Sequence, residues 1–223
     1  MIKLIKYGTT NTYLIRGERG SLLFDTGWAG TLPAFCHAMG DLGKKVQDIN
    51  YILISHYHPD HMGIAQKIAD MGPVICAADL QKDFIHSSDR IFLRDKRAEF
   101  TPIKDEKIKY FALDRSRAFL SELGIDGEIY ATPGHSDDSI SLFLDSGELF
   151  VGDLNPLYEL ELHKGTEIET TWNRLLSLHP KKVYYGHAPA ADLVFVEDVS
   201  RMYVTHPGVS VQGILDRIEI KGK

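Results

Sequence analysis

The chain has 223 residues, 43% of them hydrophobic and 25% charged, with a formal net charge of -6 at pH 7, which is the balance of a globular protein that buries one sizeable core. Acidic and basic residues are interspersed, so no basic stripe is offered to a polyphosphate backbone, and nucleic acid is not the expected partner. No apolar run approaches the roughly 20 residues that cross a bilayer, and the opening Met1-Ile2-Lys3-Leu4-Ile5-Lys6-Tyr7 lacks the apolar core of a signal peptide, which predicts a cytoplasmic protein with no membrane partner.

Short apolar runs read as strands at residues 12–15, 21–24, 51–54, 74–77, 128–131, 139–144, 149–151 and 182–185. Gly17-Glu18-Arg19-Gly20 and Asp145-Ser146-Gly147 separate two pairs of these runs as hairpin turns do. Helical spacing falls between them at 31–42, 62–71, 80–86, 115–123 and 167–178, several ending in Gly or Pro. Hairpins first and strand-helix alternation afterwards predict a mixed α/β (α+β) chain of sheets covered by helices, not a doubly wound parallel sheet.

The segment 79–126 is rich in charge, with Asp95-Lys96-Arg97 and Lys104-Asp105-Glu106-Lys107, and reads as a helical insertion within a single domain spanning 1–223. It is expected either to wall the functional site or to be a solvated excursion. Cys36 and Cys76 lie far apart in apolar surroundings and read as two reduced, largely buried thiols. In the tail, apolar residues at 193–196 and 209–220 predict a helix and a terminal segment packed on the core.

Directly behind the run 51–55 stand His56, Tyr57, His58, Pro59, Asp60 and His61. Three imidazoles and a carboxylate in six residues are unlike an ordinary turn, which is built from Gly, Asn, Asp, Ser and Pro. A loop of this kind on the end of a strand can serve one metal from His56 and His58 and a second from Asp60 and His61.

Four ligands do not close two metal sites, so further donors are expected at other strand ends. Gly134-His135, Gly152-Asp153 and Gly186-His187 supply them, each as an apolar strand, a glycine, then a ligand. Glycine lets the backbone turn close to a metal where a side chain would obstruct it. His37, His86, His163, His179 and His206 lack this setting and read as surface, capping or packing residues.

His-x-His-x-Asp-His, followed by separate His, Asp and His motifs, resembles the metallo-β-lactamase superfamily, with all seven ligand positions matched; Asp25, at the end of Leu22-Leu23-Phe24-Asp25-Thr26-Gly27, matches an earlier family motif. The resemblance covers about residues 12–190 and implies a four-layer αββα sandwich with the ligand loops along one edge. It implies that His56, His58 and His135 hold one metal, that Asp60, His61 and His187 hold the other, and that Asp153 bridges them. Asp60 is the catalytic candidate among these ligands, and Asp25 orients loop groups without ligating metal. Imidazole and carboxylate donors suit zinc first, with iron or manganese also accommodated.

Asp153 stands where the antibiotic-hydrolysing branch characteristically carries Cys, and His58 stands where the flavodiiron branch has Glu. The pattern therefore resembles the glyoxalase II, lactonase and phosphodiesterase branches, although only 36 residues follow His187, too few for the helical glutathione domain of glyoxalase II. The expected activity is hydrolysis of a small thioester, lactone or related ester, with Asn155, Tyr158 and Tyr57 as candidate substrate contacts. Three alternatives stay open at this point: a mononuclear iron persulfide dioxygenase, a phosphodiesterase of the same fold, and a low-turnover metal-binding regulatory protein.

Overall fold

Leu22, Leu23 and Phe24 are all buried, and they face opposite ways. Leu22 and Phe24 pack with Leu142 and Phe150, whereas Leu23 packs with Phe35, Met39 and Ile68. A strand covered on both faces must be apolar at every position, and its period of two sends alternate residues into different layers.

The computed structural model describes residues 1–95, 98–196 and 201–204. In the first sheet, β1 (Ile2–Ile5), β2 (Thr12–Arg16) and β3 (Ser21–Phe24) form an antiparallel meander. Three parallel neighbours follow: β4 (Tyr51–Leu53), β5 (Val74–Ala78) and β6 (Lys109–Phe111). The second sheet runs in order β7 (Gly127–Ala131), β8 (Ile140–Leu144), β9 (Glu148–Phe150), β10 (Lys182–Tyr184), β11 (Ala191–Val196) and β12 (Arg201–Val204); only β9 and β10 pair in parallel.

The helices are α1 (Leu32–Asp41), α2 (Pro59–Met62), α3 (Ala65–Ala69), α4 (Asp89–Leu93), α5 (Ser116–Glu122) and α6 (Glu167–Leu176). α1 and α3 cover the outer face of the first sheet, and Trp172 and Leu175 of α6 cover Leu149, Val151 and Val183 of the second. The result is the expected αββα sandwich. Between the sheets Phe150 stacks on Tyr184 at 4.7 Å, meets Tyr13 edge to face at 5.3 Å and lies tilted against Phe24 at 5.8 Å. Trimming such a ring to Ala costs about 3–5 kcal/mol.

This topology sets the site. β3 and β4 run the same way in one sheet; β7, β9 and β10 run the same way in the other, since β7 and β9 both oppose β8. Their carboxyl ends therefore release five loops along one edge, where α/β sheets characteristically bind ligands.

Several expectations are corrected. The stretch 62–71 is not one helix: α2 ends at Met62, Ile64 leaves helical geometry at φ -115° and ψ 8°, and only Ala65–Ala69 follows as α3, while Gly63 sits so close to the backbone of Gly27, Ala29 and Pro59 that no side chain fits there. The segment 79–126 is not only helical excursion: it supplies edge strand β6 and helix α5, and Phe111 stacks on Phe119 at 4.5 Å inside the intersheet core. The charges of Lys109 and its neighbours conceal a strand of three residues. Residues 193–196 belong to β11 and not to a helix, in keeping with the β-propensity of Leu193-Val194-Phe195-Val196. β1 and β12 are further strands that the apolar pattern did not single out. The expectations for Lys96, Arg97, His206 and residues 209–220 lie outside the described residues. Cys36 and Cys76 are both free, and Cys76 is buried with its Sγ 3.2 Å from the carbonyl oxygen of Ile52. Among the described residues no helix is long and apolar enough to cross a membrane.

Candidate metal centre

β4 ends at Leu53, and the loop after it is held by groups from distant elements. Tyr57 N–H donates to Asp138 Oδ2 at 2.7 Å, and Gln81 Nε2 donates to the carbonyls of Ile54 at 2.9 Å and Asp138 at 3.1 Å. Thr26 donates twice to the carbonyl of His61, from its backbone N–H at 2.7 Å and its hydroxyl at 2.8 Å. Thr10 Oγ1 donates to the carbonyl of Asp60 at 2.8 Å. His58 N-caps α2, and Pro59 at the first helical position suits a turn whose first N–H groups have no partner.

On the opposite sheet each ligand follows a glycine for a specific reason. Gly134 has φ 135° and Gly152 has φ 55°, both in the region that disfavours a side chain. A Cβ on Gly186 would meet the carboxylate of Asp153 and the ring of His61. Asn11 clamps the His187 loop by donating from Nδ2 to the carbonyls of Tyr185 and Ala188, both at 2.9 Å.

The seven predicted ligands fall into two groups, one of His56, His58 and His135 and one of Asp60, His61, Asp153 and His187; within each, one ligand atom per residue lies within 4.8 Å of the others. In the first group His58 Nδ1 and His135 Nε2 are 3.1 Å apart, and in the second His61 Nε2 and His187 Nε2 are 3.3 Å apart. His187 Nε2 also lies 2.9 Å from Asp60 Oδ2 and 3.3 Å from Asp153 Oδ2.

The buried atoms test whether a metal fits. His56 Nε2 is buried without a hydrogen-bond partner, a costly condition for a polar group unless something completes it, and buried Asp153 Oδ1 has only the His61 imidazole beside it, at 3.2 Å. Facing imidazole nitrogens beside carboxylates are likewise the donors a divalent cation takes up. The residues present fit such an ion in both groups.

Electrostatics agree. Burial and the neighbouring His61 hold His56 well below the usual histidine range, so it is neutral, and burial lowers His135 as well. Burial disfavours charge on His61, but Asp25 and Asp153 outweigh it and push its pKa up to about 10. Asp153 and Asp60 push His187 up to about 10. Burial works against ionising Asp153, yet His187 and His61 hold its carboxyl far below the usual carboxylate range. His187 lowers Asp60 in the same way. Without metal, the second group is an ion cluster in which protons occupy positions a cation would take.

Asp25 lies behind the candidate ligands. Its φ of 63° turns the chain sharply after β3, and its carboxylate accepts from His61 Nδ1 at 2.9 Å. A cleft of about 360 Å³ opens beside His135, Asp153 and His187, and Asn155 and Tyr158 line it. Tyr57 is a correction: its side chain is fully buried in the core beneath the first sheet's outer face, so it offers no contact to a substrate in the cleft. Its backbone N–H is held by Asp138 and its side chain packs among the apolar residues beneath the first sheet, away from the cleft. Ser55, Thr26, Gln81, Asp138 and Asn11 were not singled out from the sequence; only the position of Ser55 at a strand end, next to the histidines, gave a local signal.

The model of the metallo-beta-lactamase superfamily matches residues 5–187. The chain is 29% identical over 206 residues to a beta-lactamase-like protein 2 homolog of Caenorhabditis elegans, covering 88% of this chain and 61% of that protein. It is 28% identical over 218 residues to the Drosophila melanogaster homolog of the same name, covering 92% and 67%. The chain thus spans about three-fifths to two-thirds of the length of these curated relatives. Among solved structures, a metallo-beta-lactamase family protein of Thermus thermophilus shares the fold, with a TM-score of 0.64 and 21% identity over 85% of this chain and 74% of that one. The match over 5–187, a range that includes all the histidines and aspartates that converge in space, establishes that the chain belongs to the metallo-beta-lactamase superfamily.

Proposed function

We propose that the protein is a two-metal hydrolase that cleaves a small thioester, lactone or related ester, with zinc as the first metal to test. The observation that carries this reading is the position of Asp153. Its Oδ2 lies 4.0 Å from His56 Nε2 and 3.8 Å from His135 Nε2 in one group and 3.3 Å from His187 Nε2 in the other, while Oδ1 lies 3.2 Å from His61 Nε2. A carboxylate reaching both groups is suited to bridging two cations.

Divalent ions held by these residues supply Lewis-acid polarisation of a carbonyl and a lowered pKa for coordinated water. The protein's own part is placement. Asp60, held as a carboxylate beside His187, is an acceptor and not an acid at neutral pH. Leu154, Pro156 and Tyr185 give the cleft an apolar wall, while the Asn155 amide and Tyr158 hydroxyl bring neutral polar groups to its lining. Among the described residues lining it there is no Lys or Arg, a poor setting for a phosphodiester and a favourable one for an uncharged ester. The second group is complete in Asp60, His61, Asp153 and His187, which favours two ions over the single iron of a persulfide dioxygenase.

The test is metal analysis followed by a panel of thioesters, lactones, phosphodiesters and a persulfide on one metal-defined sample. Two ions per chain with ester or thioester turnover is the expected result. One iron per chain with oxygen uptake overturns it.

A further inference from the structure

We propose that Ser55 is a positioning residue that fixes the neutral tautomer of His56 and ties one ligand of each donor group to the single carboxylate of Asp25. This rests on the reading of His56 and His61 as metal ligands.

The proton positions follow from counting donors. Asp25 accepts from the Ser55 backbone N–H at Oδ1, 2.6 Å away, and from the Ser55 hydroxyl at Oδ2, 2.8 Å away. It also accepts from His61 Nδ1 at Oδ2, at 2.9 Å. An ionised carboxylate only accepts, and a serine hydroxyl carries one proton. That proton is therefore committed to Asp25. Only lone pairs remain on Ser55 Oγ for His56 Nδ1, 3.0 Å away, so Nδ1 is the donor. His56 Nε2 is then unprotonated, and this is the buried atom that no hydrogen bond in the protein satisfies. By the same chain of bonds His61 donates through Nδ1 and turns Nε2 toward Asp153.

Burial makes the arrangement binding. Asp25, Ser55, His56 and His61 are each at most 1% exposed, so water does not replace a missing partner. Gly152 packs directly against the Ser55 side chain, which any side chain at 152 would displace. The Ser55 carbonyl is held by the backbone N–H of Ile140 at 2.8 Å. Without the hydroxyl, His56 Nδ1–H has no acceptor, and the alternative tautomer puts its proton on Nε2, the ligand position. His61 keeps its own bond to Asp25, so the first group suffers more than the second.

Nitrogen NMR of the histidines in the metal-free wild-type protein reads the tautomer directly. His56 is expected to carry its proton on Nδ1; a proton on Nε2 overturns the proposal. Zinc titration of Ser55→Ala against a competing chelator is expected to show first-group affinity lowered about 10–100-fold, the range for losing the partner of a ligating histidine, with the second group near wild type. Equal weakening of both groups, or of neither, overturns it. If Ser55→Ala does not fold, the wild-type tautomer decides alone. If wild-type protein takes up no zinc, the metal reading fails, and the tautomer still reports on Ser55 separately.

Discussion

Asp25 Oδ2 and His61 Nδ1 are joined across 2.9 Å in a fully buried pair that links the end of β3 to the loop after β4. Neighbouring strands of one sheet thus contribute a candidate ligand and the group that aims it. A buried imidazole bound through Nδ1 to a carboxylate is made more basic at Nε2 and cannot rotate freely.

Asp25→Asn keeps the shape and tolerates the left-handed backbone at φ 63°. Its amide has a single acceptor oxygen where Asp25 accepts at two, so second-group zinc affinity should fall about 10–100-fold with the fold intact. Chelator-competition titration beside circular dichroism checks this.

Gly186→Ala should abolish binding at the second group, because the new Cβ would collide with the Asp153 carboxylate and the His61 ring. Gly40→Ala is the contrasting variant. Gly40 lies within α1, and a Cβ there meets nothing within 4 Å, so it should raise stability by about 0.5–1 kcal/mol and leave metal content unchanged. Metal stoichiometry and thermal melts distinguish the two.

Metal uptake should release protons and strengthen with pH. In the metal-free protein His61 and His187 each titrate at about 10, raised by Asp25 and Asp153 against burial in one case and by Asp153 and Asp60 in the other. Both are charged at pH 7 and must lose a proton to ligate. Affinity should therefore rise between pH 7 and 10, by up to about tenfold per pH unit for each proton displaced. For the metal-free fold the sign is opposite: the stability these histidines contribute is fully present below about 6.5 and is lost as pH rises through about 10. Calorimetric zinc titrations in two buffers of different ionisation enthalpy measure the protons released; identical heats would contradict the assignment.

Tyr57→Phe should leave metal content and turnover at wild-type levels. The Tyr57 hydroxyl is buried without a hydrogen-bond partner, so its removal should be neutral or stabilising by up to about 1 kcal/mol. Chemical denaturation alongside a turnover assay checks both points.

His86 Nδ1 lies 2.8 Å from Asp89 Oδ2 and its Nε2 lies 2.9 Å from Asp105 Oδ1, joining α4 to the turn before β6. Burial works against its charge, but Asp105 and Asp89 outweigh burial and raise its pKa. That contribution is fully present below about 6.5 and fades as pH rises through the raised value. His86→Gln should cost about 1 kcal/mol or less at pH 5.5, because the side chain is 44% exposed. The cost should shrink at pH 9, with metal content unaffected, as denaturant melts at the two pH values would show.

The seven candidate donors were legible in the sequence because each belongs to a short local pattern at the end of a strand, whereas Asp25 was picked out by the resemblance of its motif to the family's. Local chemistry also determined the glycines before His135, Asp153 and His187; hairpins preceding strand-helix alternation pointed to sheets covered by helices, and the family resemblance implied the αββα sandwich. Tertiary structure decided the rest. Tyr57 reads like a site residue until the core packed around it is seen to bury it, and Lys109-Tyr110-Phe111 reads like a charged excursion until β5 offers its edge. Ser55, Gln81, Asp138 and Asn11 are ordinary polar residues by spacing alone. They acquire roles because parallel strands of two different sheets end together, bringing their hydrogen-bonding groups to buried partners up to 177 positions away, a distance over which no periodicity in a single chain carries information.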